Sequence, residues 1–243
     1  MECVDDFFSA ITNKIDFNKG EEKMISDVGN TKKIQPIEFL WLGLYAFAGF
    51  SVELILGIIV NLLGIEELSK GLNSILTGLL WFAVSYLLIY YSKKKFDFDV
   101  FAVKHKLTVQ KFLVILILIV MITIATFIGF NGFKPLVEFN NGSQGNIITY
   151  LLQIFYYLGE SALIVLCISF GQRFSEKQFS ISKNIPSGGL FLAITWGVTH
   201  IFLQGISGGL FTIFFSILAG IIYTTCEKDF KWSYLFIAIA FIL

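Results

Sequence analysis

The chain has 243 residues; 56% are hydrophobic, 16% aromatic and 15% charged, with a mean hydropathy of +0.76 and no net charge. Soluble domains carry about 25% charged residues, so a water-soluble globule, a disordered chain and a disulfide framework are excluded. The 18 basic and 18 acidic side chains balance, which leaves no basic surface for phosphates and excludes nucleic acid as a partner.

What remains is an integral membrane protein whose first partner is the lipid bilayer. Residues 1–36 form a mixed-charge tail. Val4, Phe7, Phe8, Ile11 and Ile15 recur there at three- and four-residue spacing, the pattern of a short amphipathic helix lying on the membrane. The tail lacks the basic-then-apolar run of a cleavable signal.

Residues 37–243 form the membrane domain. A helix needs roughly 20 apolar residues to cross ~30 Å of hydrocarbon. Seven apolar segments qualify in whole or part: 37–62, 72–92, 112–130, 147–170, 188–203, 206–225 and 232–243. The last would span only ~18 Å and reach about mid-membrane. These runs are too long and continuous for outer-membrane strands. The fold class is therefore all-α, a polytopic bundle of about seven membrane helices. Segment 93–111 opens with Lys93, Lys94 and Lys95 and then alternates Phe96, Phe98 and Val100 with Asp97 and Asp99. It reads as a connector lying on the anionic lipid surface or as an ordinary basic loop.

Basic residues alternate along the connections as 5, 1, 6, 1, 3, 0 and 2, so 16 of the 18 fall on one side. The positive-inside rule places the N-terminus in the cytoplasm and the C-terminus toward the outside of a multi-pass cell-membrane protein. Cys3, Cys167 and Cys226 have no metal-site spacing and lie toward the reducing side.

A titratable group in hydrocarbon costs several kcal/mol and calls for a reason. The candidates are Glu53, Glu160 and His200. Helix rise puts Glu160 ~15 Å and His200 ~18 Å from the cytoplasmic boundary, on consecutive antiparallel spans, and Glu53 near the outer surface. Gln204 follows His200 by one turn, and Gln153 precedes Glu160 by two. One cavity could hold all four. It would be either a hydrogen-bond cluster joining two helices or a site acting on a ligand, metal, proton or peptide. Gly205 with Gly209, and Ser216 with Gly220, add the small-residue spacing of close helix contacts.

Gly159-Glu160-Ser161, then Trp196-Gly197-Val198-Thr199-His200 with Gln204 some 40 residues on, resemble the CPBP family of intramembrane proteases, the CAAX prenyl protease or Abi type. The resemblance covers about 147–243. It implies peptide hydrolysis on membrane-embedded or prenylated substrates. Glu160 would be the general base, His200 a metal ligand or water-orienting group, and Gln204 an oxyanion donor. It also raises a divalent metal such as zinc, which needs three protein ligands; Glu160 and His200 supply two. The family's arginine position is held by Ile164 or Val165, its second glutamate is missing, and no His, Asn or Asp occurs from 232 to 243. The expectation is a CPBP-like membrane protein with reduced or lost protease activity. The alternatives are a non-enzymatic scaffold or partner subunit, as in bacteriocin immunity, and a small proton-coupled transporter.

Overall fold

The computed structural model describes residues 34–65 and 68–243, and their regular structure is entirely helical. The amphipathic reading of Val4 to Ile15, and Cys3, fall outside the described residues. Helix α1 (Pro36–Gly49) starts on Pro36, with the Gln35 N–H bonded to Glu38 at 2.9 Å. After a break at Phe50 and Ser51, α2 (Val52–Leu62) continues it. Helix α3 (Lys70–Phe96) is capped by Ser69, and α4 (Val109–Gly129) by Thr108. A single turn, α5 (Lys134–Val137), widens into a π turn at Glu138–Gly142. Helix α6 (Ile147–Gln178) is capped by Asn146. Helix α7 (Ser187–Leu192) passes through a π turn at Ala193–Gly197 into α8 (Val198–Thr225), and Asp229 caps α9 (Phe230–Ile242).

Five segments are long and apolar enough to cross a bilayer: Pro36–Leu62, α3, α4, α6 and Ser187–Thr225; α9 is a shorter apolar helix. The protein is thus a multi-pass, all-α membrane type.

Segment Ser187–Thr225 is 39 residues long, and as one straight helix it would put residues 189 and 220 ~46 Å apart. Instead the Cα of Gly220 lies 2.7 Å from where a Cβ on Gly189 would stand. Gly197 lies against Ile213 and Gly209 against Ile201. Each of these pairs is centred on residues 204–205, which is the signature of an antiparallel hairpin. Gly205 makes the reversal with φ 77° and ψ 179°, a conformation open to glycine alone. The expected break between 188–203 and 206–225 is therefore present as a turn.

Polar contacts fix both feet of this hairpin at one end of the bundle. The Gln172 amide donates to the Ile185 carbonyl at 2.9 Å and accepts from the Gly188 N–H at 2.8 Å. Lys228 donates to Glu176, one turn along α6. At the same end, Glu227 pairs with His105 at 2.9 Å and with Lys111, and Asp229 accepts from the His105 N–H. This basic end gathers the connections 97–108, 179–186 and 226–229. The opposite end holds the hairpin tip, the loop 130–146 and the start of α3, where Lys70 donates to the Gly142 carbonyl at 2.7 Å.

Helix α6 is the axis. Every residue from 159 to 172 is buried, as expected of a helix apolar on all sides. It packs against α1, α3, α7 and α9. Close approach is bought by glycine: a Cβ on Gly159 would sit 2.9 Å from the Gly78 carbonyl oxygen, and Phe191 seats in the slot between Gly43 and Gly171. Bulky substitutions at the hairpin interface should therefore force the helices apart. Gly220→Leu and Gly209→Leu are expected to lower thermal stability in detergent by several degrees. Gly57, which has open space around its α-carbon, should accept alanine without loss.

Candidate functional site

Helix α6 carries Gln153, Tyr156, Tyr157 and Glu160 at i, i+3, i+4 and i+7, one face of the helix. Glu160 is 8% exposed. No described residue hydrogen-bonds its carboxylate, and its charged neighbours are Glu53 and Lys134. The Tyr156 hydroxyl lies 3.3 and 3.2 Å from the two Glu53 oxygens and donates to that carboxylate. The Tyr157 hydroxyl donates to Glu138 and accepts from the Gln153 amide at 2.9 Å. Ser143 completes the line, 3.4 Å from the Gln153 oxygen.

Lys134 is 6% exposed. Its ammonium donates to the Phe241 carbonyl and lies over the rings of Tyr157 at 4.6 Å, Phe241 at 4.7 Å and Phe130 at 5.8 Å. Burial pulls its pKa below the usual lysine value, and Glu138 and Glu160 hold it up against that pull. Cation–π contact supplies attraction where water is absent.

His200 is placed differently. Its Nδ1 lies 2.8 Å from the Trp196 carbonyl oxygen. A carbonyl can only accept, so Nδ1 is the donor in this bond. The imidazole rests on the Trp196 ring, centroids 4.5 Å apart. Trp196 in turn meets Phe50 at 5.8 Å and Phe241 at 6.0 Å, and Phe241 meets Tyr157 at 5.4 Å. Glu160 and His200 thus belong to clusters joined through aromatic rings, and neither a hydrogen bond nor an ion pair joins the two. Gln204 is exposed at the hairpin tip, folded over Gly208, while Gln153 is committed to Tyr157 and Ser143. The four polar groups share a stretch of the bundle without sharing a hydrogen-bond network.

The donor set does not fit a zinc ion. Among the described residues, no three of His, Cys, Asp and Glu come together in a metal-holding arrangement. Lys134, Glu138, Tyr156 and Tyr157 are the members of this centre that motif reasoning missed. The tyrosines were findable, since they precede Glu160 by four and three residues and share its face. Lys134 was not, because nothing in its loop sequence marks it as buried.

No family model, no curated protein and no solved structure matches the chain.

Lys134 is a buried cation in the field of Glu160 and Glu138, so Lys134→Met should destabilise by about 1–3 kcal/mol by leaving acids uncompensated. Adding Glu160→Gln should restore part of the loss, a coupling of about 0.5–3 kcal/mol in a double-mutant cycle. Glu160→Gln with His200→Ala should add within about 0.5 kcal/mol. Unfolding in mixed micelles measures all of these.

Proposed function

We propose that the chain is a CPBP-like membrane protein, with 147–243 as its core, that binds a membrane-embedded partner or peptide without hydrolysing it. One observation carries this reading: the surroundings of Glu160. A water-activating base needs a group that holds the water beside it. Here the acid's charged neighbours are Glu53 and Lys134, while the His200 N–H is committed to the Trp196 carbonyl. A catalytic zinc would lack a ligand, because Glu160 and His200 are only two of the three it needs. The sequence agrees: Ile164 or Val165 stands where the family has arginine, and 232–243 lacks His, Asn and Asp.

We read seven membrane segments in all, with the hairpin arms 187–204 and 206–225 counted separately. The basic end holds Lys93, Lys94 and Lys95 and would face the cytoplasm of a cell membrane, with the N-terminus on the same side. This reading is supported by the lysine alternation and by the shared end of residues 185–188 and 228.

The activity test uses the protein in lipid nanodiscs, with a fluorogenic prenylated peptide and a membrane-spanning peptide, each with and without zinc. Turnover is expected to be no higher than for Glu160→Gln. Zinc-dependent cleavage by the wild type that Glu160→Gln abolishes would overturn the reading. For orientation, single cysteines at Lys70 and Gln144 should label with an impermeant reagent in intact cells, and those at Lys95 and Lys183 should not. The reverse pattern would invert the topology.

A further inference from the structure

We propose that the face shared by α1 and α3 at the basic end binds an anionic phospholipid, with Lys94 and Lys95 on its phosphate and tyrosines beside them.

The first observation is where the polar aromatic rings lie. Among the described residues, five Trp and Tyr side chains are exposed: Trp41, Tyr45, Tyr86, Tyr90 and Tyr91. The first two are on α1 and the rest on α3. The exposed large side chains of α4 and of the hairpin are Phe, Leu, Ile, Val and Met alone. Trp and Tyr suit the membrane–water interface, because each joins an apolar ring to a polar tip. A belt that only levels the bundle in the bilayer would run round its circumference. Here the rings occupy one side.

That side is continuous. Gly49 of α1 lies against Val84 of α3, and Phe39 meets Phe98, just past the end of α3, at 5.0 Å. Tyr45 lies between those two contacts along α1 and stacks with Trp41, ring centroids 6.2 Å apart. On α3, Tyr86 stacks with Tyr90 at 6.5 Å.

The second observation concerns the lysines. A lysine at the end of a span ordinarily stretches away from the hydrocarbon to reach water. Lys94 and Lys95 turn the other way. Their ammoniums lie 5.4 Å from the Tyr90 ring centre and 5.0 Å from that of Tyr91, residues one turn, or ~6 Å, back along the span. Lys95 also donates to the Tyr91 hydroxyl at 2.6 Å. Both lysines are exposed, and neither makes an ion pair among the described residues. The acids of this end are placed elsewhere. Asp99 pairs with Lys93 at 3.4 Å, Glu38 accepts from the Gln35 N–H at 2.9 Å, and Asp97 is the C-cap of α3, beyond both lysines.

Two unpaired ammoniums held at the level of interfacial tyrosines suit a phosphate diester. Its oxygens accept from both lysines and from the Tyr91 hydroxyl, whose proton is free because Lys95 is the donor in their bond. Its acyl chains then lie along the exposed rings. A zwitterionic headgroup gains less, because the two lysines repel its own cation.

The test uses the full-length protein in phosphatidylcholine vesicles that contain a lipid with brominated chains, which quench tryptophan on contact. The brominated lipid is either phosphatidylglycerol or phosphatidylcholine, at equal fractions in both leaflets, so the outcome does not depend on orientation. Of the four tryptophans, Trp41 alone is exposed, and subtracting the signal of Trp41→Phe isolates it. Phosphatidylglycerol is expected to bind beside Trp41 about fivefold more tightly than phosphatidylcholine. Lys94→Gln with Lys95→Gln should abolish the preference, and Lys94→Arg with Lys95→Arg should keep it. Lys104→Gln with Lys106→Gln removes the same charge from the same end and should leave the preference unchanged. All four lysines are exposed, so these variants keep the fold. Inorganic phosphate at constant ionic strength should not displace the lipid. Equal quenching by the two lipids, or a preference that survives Lys94→Gln with Lys95→Gln, overturns the site. So does an equal loss in the Lys104 and Lys106 variant, which is surface potential alone, and so does displacement by phosphate, which is a site for a free anion.

Discussion

Helices bathed in hydrocarbon gain nothing by hiding apolar side chains from one another, since lipid tails are as apolar as leucine. Association must come from dispersion at short range, and short range requires that backbones meet. In this chain they meet at glycine: Gly78 with Gly159, Gly189 with Gly220, and Gly43 with Gly171 around the Phe191 ring. Because these contacts cluster on α6 and on the hairpin, the continuous burial of 159–172 follows from them. The placement of Glu160 within that stretch then follows as well, for a residue on the axial helix has no route to water except through its neighbours.

Much of this frame was legible in the sequence because it obeys one-dimensional rules. Apolar run length marks the spans, and Gln204-Gly205 interrupts the run where the hairpin turns. The small residues at 209 and 220 announce close contact, and both are contact points. The alternation of lysines is matched by a bundle whose basic connections lie together, with Lys111 on Glu227 and Lys228 on Glu176.

The site was less legible, for a geometric reason. Helical rise gives depth, and depth places Glu160 and His200 at one level. Contact needs rotation about each helix axis as well, and rotation is set by neighbours that the sequence does not name. The π turn at Ala193–Gly197 shifts the phase of the hairpin arm just before His200. A stretch of this kind adds one residue to a turn, so side chains beyond it face roughly 100° away from where a regular helix would aim them. His200 then lies on Trp196 instead of against the acid.

Lys134 shows how one local requirement spreads. The last-turn carbonyls of a helix carry partial negative charge that favours a cation, and the Phe241 carbonyl of α9 receives the Lys134 ammonium. Placing that ammonium there requires the loop 134–142 to fold into the bundle, which α5 and its π turn accomplish. A cation so buried is tolerable only with counter-charge and aromatic faces nearby. Glu138 arrives on the same loop, Glu160 on the axial helix, and Tyr157 between them. The acids are thus explained in part as company for a lysine that stabilises a helix end. That role accounts for one carboxylate, since one ammonium balances one. Glu53 lies outside it, on a helix with no buried residue, held only by the Tyr156 hydroxyl. Glu53 is thus one of two carboxylates in this centre that a single ammonium leaves unbalanced.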